Sequence, residues 1–420
     1  MQPSTLSAAD TAWMLVATAM VLLMTPALGF FYGGMVRAKN TLNTLMMSFV
    51  ALGFVGVAWA LIGYSFGFAG TGGWIGGLDH VLLRGVGADV RGTIPHVLFA
   101  SYQGTFAIIT AALISGAIVE RMRFGPYVAF ITLWSILVYA PVAHWVWGGG
   151  WLAKLGALDF AGGTVVHVNA ATAALVAAVV VGSRKDYGRQ ALVPQSVPFT
   201  LLGTGVLWFG WFGFNAGSAL GATQSAALAL ANTMFAPMAT FGVWTLLDLQ
   251  RTRKATAVGA ATAIVVGLVA VTPAAGFISP VGALVLGAIA AVPSYFALLF
   301  RARTRLDDSL DVVAAHGVGG VTGALLTGVL AQKSWNGVAD GALFGNPAQL
   351  WWQFVAVAAT IVFSAAATVV ILKVIGAVST LRAAPNEEGL GLDMTQHGEE
   401  AYSRGEGAVL IRTDRRGAPR

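Results

Sequence analysis

The sequence predicts an all-α polytopic membrane protein: eleven transmembrane helices, arranged as two five-helix inverted repeats and a final helix. Three observations carry this. Of the 420 residues, 57% are hydrophobic and only 10% are charged, against about 25% charged in a soluble domain. Apolar runs long enough to cross a bilayer recur along the chain. An aspartate–histidine pair at one fixed spacing occurs once in each half.

Composition narrows the function. The 53 glycines suit close helix packing in lipid. With no cysteine, disulfides, thiolate metal sites and cysteine nucleophiles are excluded. The net charge of +6 does not indicate nucleic acid, because the charges lie mostly in short loops between apolar spans, where Lys and Arg set topology. The N-terminal MQPSTLSAAD lacks the basic n-region of a signal peptide and reads as a retained, exposed segment.

A hydrocarbon core of about 30 Å needs about 20 apolar residues per helix. By that measure the spans fall at roughly 11–34, 41–66, 96–119, 125–146, 163–182, 196–217, 224–247, 256–275, 279–300, 309–331 and 349–378. Loop charges support the count. Thirteen of the 24 basic residues, from Arg37 and Lys39 to Arg301, Arg303 and Arg305, fall in one alternating set of loops. Only Arg84, Arg91, Lys154 and Lys333 fall in the other. The positive-inside rule then places the N-terminus outside and the C-terminus in the cytoplasm of a multi-pass cell-membrane protein. The divisions are an external 1–10, a first repeat 11–182, a second repeat 196–331, an eleventh helix 349–378 and a polar cytoplasmic tail 379–420. Because each unit has five helices, the second enters the membrane inverted, and its site belongs at the repeat interface near the midplane. GFFYGG (Gly29 to Gly34) and GFNAGS (Gly213 to Ser218) share an aromatic-then-small pattern too weak to carry an argument alone. The tail reads as a disordered end or as a regulatory docking segment.

The chemistry concentrates between Tyr139 and Leu175. His144, Trp145, Trp147 and Trp151 surround a glycine-rich turn, then come Asp159 and, eight residues on, His167. Asp308 and His316 repeat that spacing. A lone buried histidine is ordinarily a satisfied structural residue. Two at matching positions in two membrane-embedded halves favour function, since an intramembrane ionisable group is costly.

On the external side Phe106, Trp147, Phe214 and Ser218 stand out. Aromatic faces attract cations, at about 0.5 to 2 kcal/mol per contact, and a hydroxyl oxygen can accept a hydrogen bond from one. Each aromatic alone reads equally as interfacial belt or packing. Moving an ammonium-sized ion whole into a dry medium costs about 20 kcal/mol in the idealised limit, which one cation–π contact cannot offset. Neutral imidazoles suit a small base that sheds its proton outside and crosses uncharged. Asp159 either attracts cations or caps span five, the cap being favoured. Asp308 reads as a cap, and His144 as an anchor. His80 and His96 lie in or beside an exterior loop, and His397 lies in the tail. A Walker loop, a serine elbow and metal-ligand spacing are all missing, so neither enzyme chemistry nor a cofactor or metal is expected.

At this point the residues resemble a known family, the ammonium transporters of the Amt/Mep/Rh superfamily, on the bacterial Amt side. The resembling segments are FFYGGMVRAKNTLNTLMMS, QGTFAIIT with GAIVERMRF, PVAHWVWGGGWLAKLGALDFAGGTVVHVNA, WFGWFGFNAGSAL, VTPAAGF, DDSLDVVAAHGVGG and EEGLGLDMTQHGEEAY. They cover nearly the whole chain in order. The resemblance implies a homotrimer with one pore per subunit, carrying ammonium or ammonia, with methylammonium a further candidate. It assigns Phe106, Trp147 and Ser218 to an outer recruitment site. Phe106 and Phe214 form a gate beneath it, and His167 with His316 the twin-histidine centre. Asp159 supports the vestibule, and Trp211 and Thr272 lie along or beside the path. The family's tail packs on the cytoplasmic face, where a PII-type signalling protein plugs the pore of many members. Here an EHGE-type ending is replaced by Gln396-His397-Gly398-Glu399, which weakens the PII expectation.

Two alternatives remain at this stage. An ammonium sensor would signal through the tail, but about forty residues are too few for a separate domain of typical size. A Rh-like channel for neutral gases would have little use for the Trp147 and Ser218 set.

Overall fold

The structure, a computed structural model, describes residues 5–402. Residues 1–4 of the expected external segment and 403–420 of the expected tail lie outside it. Eleven apolar helices are described: α1 (Ala8–Met35), α2 (Ala38–Phe68), α3 (His96–Ala117), α4 (124–146), α5 (Gly163–Val181), α6 (Val197–Gly217), α7 (Gln224–Thr252), α8 (Ala257–Val271), α9 (Pro280–Arg301), α10 (Val313–Leu330) and α11 (Ala348–Val378). Ten are long enough to cross a membrane, and α8 is the short one. A hairpin of two-residue strands, β1 (Val90–Arg91) and β2 (Ile94–Pro95), closes the long loop before α3.

Local chemistry sets the helix ends. Ser7, Ser196, Thr223, Thr256 and Ser279 each turn a hydroxyl oxygen onto a first-turn N–H of α1, α6, α7, α8 and α9, the residue types that serve best there. Three expected boundaries move by four residues or more. The seventh helix, α7, runs on to Thr252 instead of ending at 247. The eighth span stops at Val271 instead of continuing to 275, because Pro273 has no N–H to extend the ladder and the chain passes into buried turns. The tenth helix begins at Val313, not 309, because Asp311 holds a left-handed φ of 58°.

Small residues bring α1 and α6 together along their length. A Cβ at Gly203 would collide with the backbone of Phe31, and one at Gly213 with the carbonyl of Ala17. The two ends of the bundle differ in charge. One end gathers a buried ionic web. Glu120 accepts from Arg37 at 3.0 Å and Arg184 at 2.6 Å, and Arg184 also grips Asp307 at 2.7 Å.

The described part of the tail lies against that same end, which corrects the disordered reading for residues 381–402. Lys39 donates to the carbonyls of Glu388 and Gly389, and Leu392 N–H donates to Asn40. The Asp393 carboxylate accepts the N–H groups of Leu42 and Asn43 at 3.0 and 2.7 Å, capping the start of α2.

Candidate functional site

The two halves meet in the middle of the bundle through α5 and α10, and both helices open with a π-helical turn, Gly163–Val168 and Val313–Val318. Such wide turns are rare and frequently mark functional sites. Each carries one histidine. Asp159 caps the first: Oδ1 accepts from Gly162 and Gly163 at 2.8 and 2.7 Å, and Oδ2 from Thr164 and Val165 at 2.8 and 3.0 Å. Asp308 serves the second turn more lightly, accepting from Val313 N–H at 2.7 Å.

His167 and His316 lie face to face with ring centroids 5.2 Å apart, and their Nδ1 atoms are 3.1 Å apart. A bond between two Nδ1 atoms requires one to donate and the other to accept, so the two neutral rings hold opposite tautomers. Both residues are buried, and Nε2 of His167 has no partner among the described residues. Around them is a narrow apolar cavity to which Leu28, Ile109, Leu113 and Leu207 contribute. Trp211 stacks on His167 at 5.4 Å, with its indole N–H donating to Thr272 Oγ1 at 2.9 Å. Thr272 therefore braces Trp211 and does not itself line this cavity.

Above His167 the Phe214 ring follows at 6.1 Å, and Phe106 stacks on Phe214 at 4.2 Å, closing the cavity on that side. Trp147 meets Phe106 edge-on at 5.9 Å and donates its N–H to the Asp159 carbonyl at 2.8 Å. Ser218 Oγ donates to the Phe214 carbonyl at 2.9 Å, which leaves its lone pairs free. These side chains follow one another in the order Ser218 and Trp147, Phe106, Phe214, His167, His316, with Trp211 beside His167 and Thr272 behind it.

Two residues were not anticipated. Tyr102 lies one turn before Phe106, with its hydroxyl 3.4 Å from Ser218 Oγ and donating to the Phe214 carbonyl. Its position four residues from Phe106 was the available signal. Phe31 lines the histidine cavity, and the GFFYGG pattern had marked it. The other histidines stand apart. His144 bonds the carbonyls of Gly67 and Gly72, and His96 sits among Tyr64, Asp89 and Arg91. Among the described residues no group of three or more His, Asp or Glu is placed to hold a metal.

The profile of the Ammonium Transporter Family matches residues 12–402. The chain belongs to the ammonium transporter family. Members of that family are transporters, not enzymes. The ammonium transporter of Bacillus subtilis is 47% identical over 398 residues, covering 94% of this chain and 98% of the relative. The ammonium transporter of Aquifex aeolicus is 50% identical over 408 residues, covering 95% and 94%. Among solved structures, Mep2 of Saccharomyces cerevisiae superposes with a TM-score of 0.87 at 35% identity, over 96% of this chain and 93% of that one. A protein described as a sensor Amt protein superposes equally well at 30% identity, over 93% and 98%.

Proposed function

We propose that the chain transports ammonium by taking it up at an outer aromatic site, stripping one proton and passing ammonia between His167 and His316. The observation that carries this is the Nδ1–Nδ1 contact of the two histidines inside an otherwise apolar cavity. An ammonium ion has no anionic partner there, whereas neutral ammonia both donates to and accepts from imidazoles in opposite tautomers.

In this reading the faces of Trp147 and Phe106 and the oxygen of Ser218 hold the cation, with Ser218 and Tyr102 both anchored on the Phe214 carbonyl. The stacked Phe106 and Phe214 rings must part for passage, which excludes water and hydrated metal ions. Asp159 acts by holding the head of α5, and with it Trp147, in place. Trp211 is packed against His167, and Thr272 holds Trp211.

The pore-bearing subunit is one of a homotrimer in the cell membrane. The basic end of the bundle faces the cytoplasm, as the positive-inside rule requires, so the N-terminus is outside. A PII-type protein would approach that end. Gln396 there accepts from Phe124 N–H, and His397 contacts Asn43.

Uptake of labelled methylammonium into proteoliposomes tests the function, with saturable uptake and competition by ammonium expected. Uptake no faster than in protein-free vesicles contradicts it. A variant ending before Pro385 should keep part of this flux, whereas a sensor without transport shows none in either form.

A further inference from the structure

A second cavity lies at the basic end of the bundle, directly below the histidine cavity. Three elements line both. Phe31 and Met35 are one turn apart on α1, Val265 and Val258 are two turns apart on α8, and His316 and Asp311 are five residues apart at the head of α10. The lower cavity is therefore the foot of the same column. Its lining is polar where the upper one is apolar, with Arg37, Glu120, Arg184, Tyr187, Arg301 and Asp311 turned into it.

Most of these groups are committed to one another. Glu120 is held by Arg37 and Arg184, and Arg184 also holds Asp307. Asp311 differs. Its only cationic partner among the described residues is Arg301, which reaches a single oxygen, Oδ1, with Nε at 2.8 Å and a terminal nitrogen at 2.7 Å. The other oxygen, Oδ2, carries no bond to the described residues, and 22% of the side chain stays open. Its backbone holds a left-handed φ of 58°, a conformation that costs most residues and that Asp and Asn tolerate best. The chain thus bends at this point, with the carboxyl beside the last turn before His316.

We infer that Asp311 is the proton donor that converts ammonia back to ammonium as it leaves the foot of the pore. This rests on the reading that neutral ammonia passes the histidines. As ammonia arrives, its nitrogen takes the carboxyl proton. The O–H bond breaks as the new N–H bond forms, leaving ammonium and a carboxylate that Arg301 steadies. Ammonia is a far stronger base than a carboxylate, so the transfer runs downhill. The carboxylate recovers a proton from the aqueous side. Once charged, the product re-enters the apolar cavity only by giving its proton back, so the step draws ammonia towards the exit.

The surroundings keep that carboxyl protonatable. Burial pushes it up most, Arg301 pulls it down, Asp308 pushes it up again and Arg184 lowers it slightly, leaving it at about 7. Oδ1 of Asp308 is itself buried without a partner. A proton donor works best when its pKa lies near the operating pH.

The test uses the full chain in proteoliposomes, with Asp311→Asn and Asp311→Gly measured against wild type for ammonium-pulse currents and methylammonium uptake at several lumen pH values. Asn keeps the backbone conformation and the Arg301 contact but carries no exchangeable acid proton. Gly relieves the backbone strain, so it guards against a folding defect. Both variants should lose about a hundredfold or more in maximal rate, the low end of what a positioned acid supplies, and should lose the wild-type dependence on lumen pH. The external ammonium concentration for half-maximal rate should stay unchanged. Unaltered rates and pH profile in the two variants overturn the inference. If a His167→Ala, His316→Ala variant is crippled in the same assay, the reading of the pore survives that failure. If it too transports normally, both readings fall.

Discussion

Trp147 donates its indole N–H to the backbone carbonyl of Asp159 at 2.8 Å, so the aromatic wall of the outer site is fastened to the residue that caps α5. The carboxylate of that same aspartate holds four consecutive N–H groups. One side chain thus positions the first histidine, eight residues on, and one backbone atom positions the Trp147 indole.

Asp159→Asn should therefore damage both stability and transport. The amide keeps one acceptor oxygen and presents an NH2 to two N–H donors. Losing charge-assisted bonds and leaving buried donors unmet costs at least about 3 kcal/mol. A lower thermal midpoint in detergent together with lost uptake is expected. A variant with normal stability and normal transport contradicts the role given to the cap.

Trp147→Leu should leave the helix packing intact but weaken recruitment. The indole N–H is already engaged, so only the ring is free for a cation. A cation–π contact of about 0.5 to 2 kcal/mol corresponds to a rise of about twofold to thirtyfold in the half-saturating concentration. Saturation curves of uptake check this, with little change expected in the maximal rate.

The ionic web gives a pH prediction. Burial pushes the Glu120 carboxyl up, but Arg184 and Arg37 outweigh it and hold it below its ordinary 4.5. Asp307 is likewise held low, with burial opposed mainly by Arg184. The folded state then binds these protons less tightly than the unfolded chain. Their stabilisation is complete above about pH 4.5 and is lost as pH falls through the lower folded values. Thermal midpoints in detergent should drop on acidification below that point. Glu120→Gln should lower the midpoint already at neutral pH, because breaking a buried pair costs about 3–5 kcal/mol, and should flatten the acid limb.

Asp393→Ala should release the tail. It removes the two bonds to the first N–H groups of α2, a capping loss of about 1 kcal/mol. Faster protease cleavage near residue 393 than in wild type, with the bundle intact, is the expected result.

Much of this was legible in the sequence. Hydropathy located the eleven helices, because the thickness of the bilayer fixes their length. The Asp-x7-His repeat located the facing histidines, since a fixed offset from each cap puts them at the same depth on both π-helical turns. What periodicity missed depends on backbone detail. Pro273 shortens α8, and the left-handed Asp311 delays α10. Tyr102 and Phe31 gave only weak signals, because apolar and aromatic residues in membrane helices are too common to single out. Yet the faint likeness of GFFYGG to GFNAGS fell on the two helices that pack together along their whole length. The sequence left the tail open between a free end and a docked segment, because its polar composition hid specific carboxylate and carbonyl contacts with Lys39, Asn40 and Asn43.

The central claim is that the substrate crosses the membrane centre as ammonia held by His167 and His316. Uptake in proteoliposomes by a His167→Ala, His316→Ala variant, with and without excess potassium, tests it most directly. Wild type should saturate with ammonium and ignore potassium, while the double variant should lose saturable, ammonium-selective uptake. A double variant with the wild type's saturation and selectivity contradicts the account.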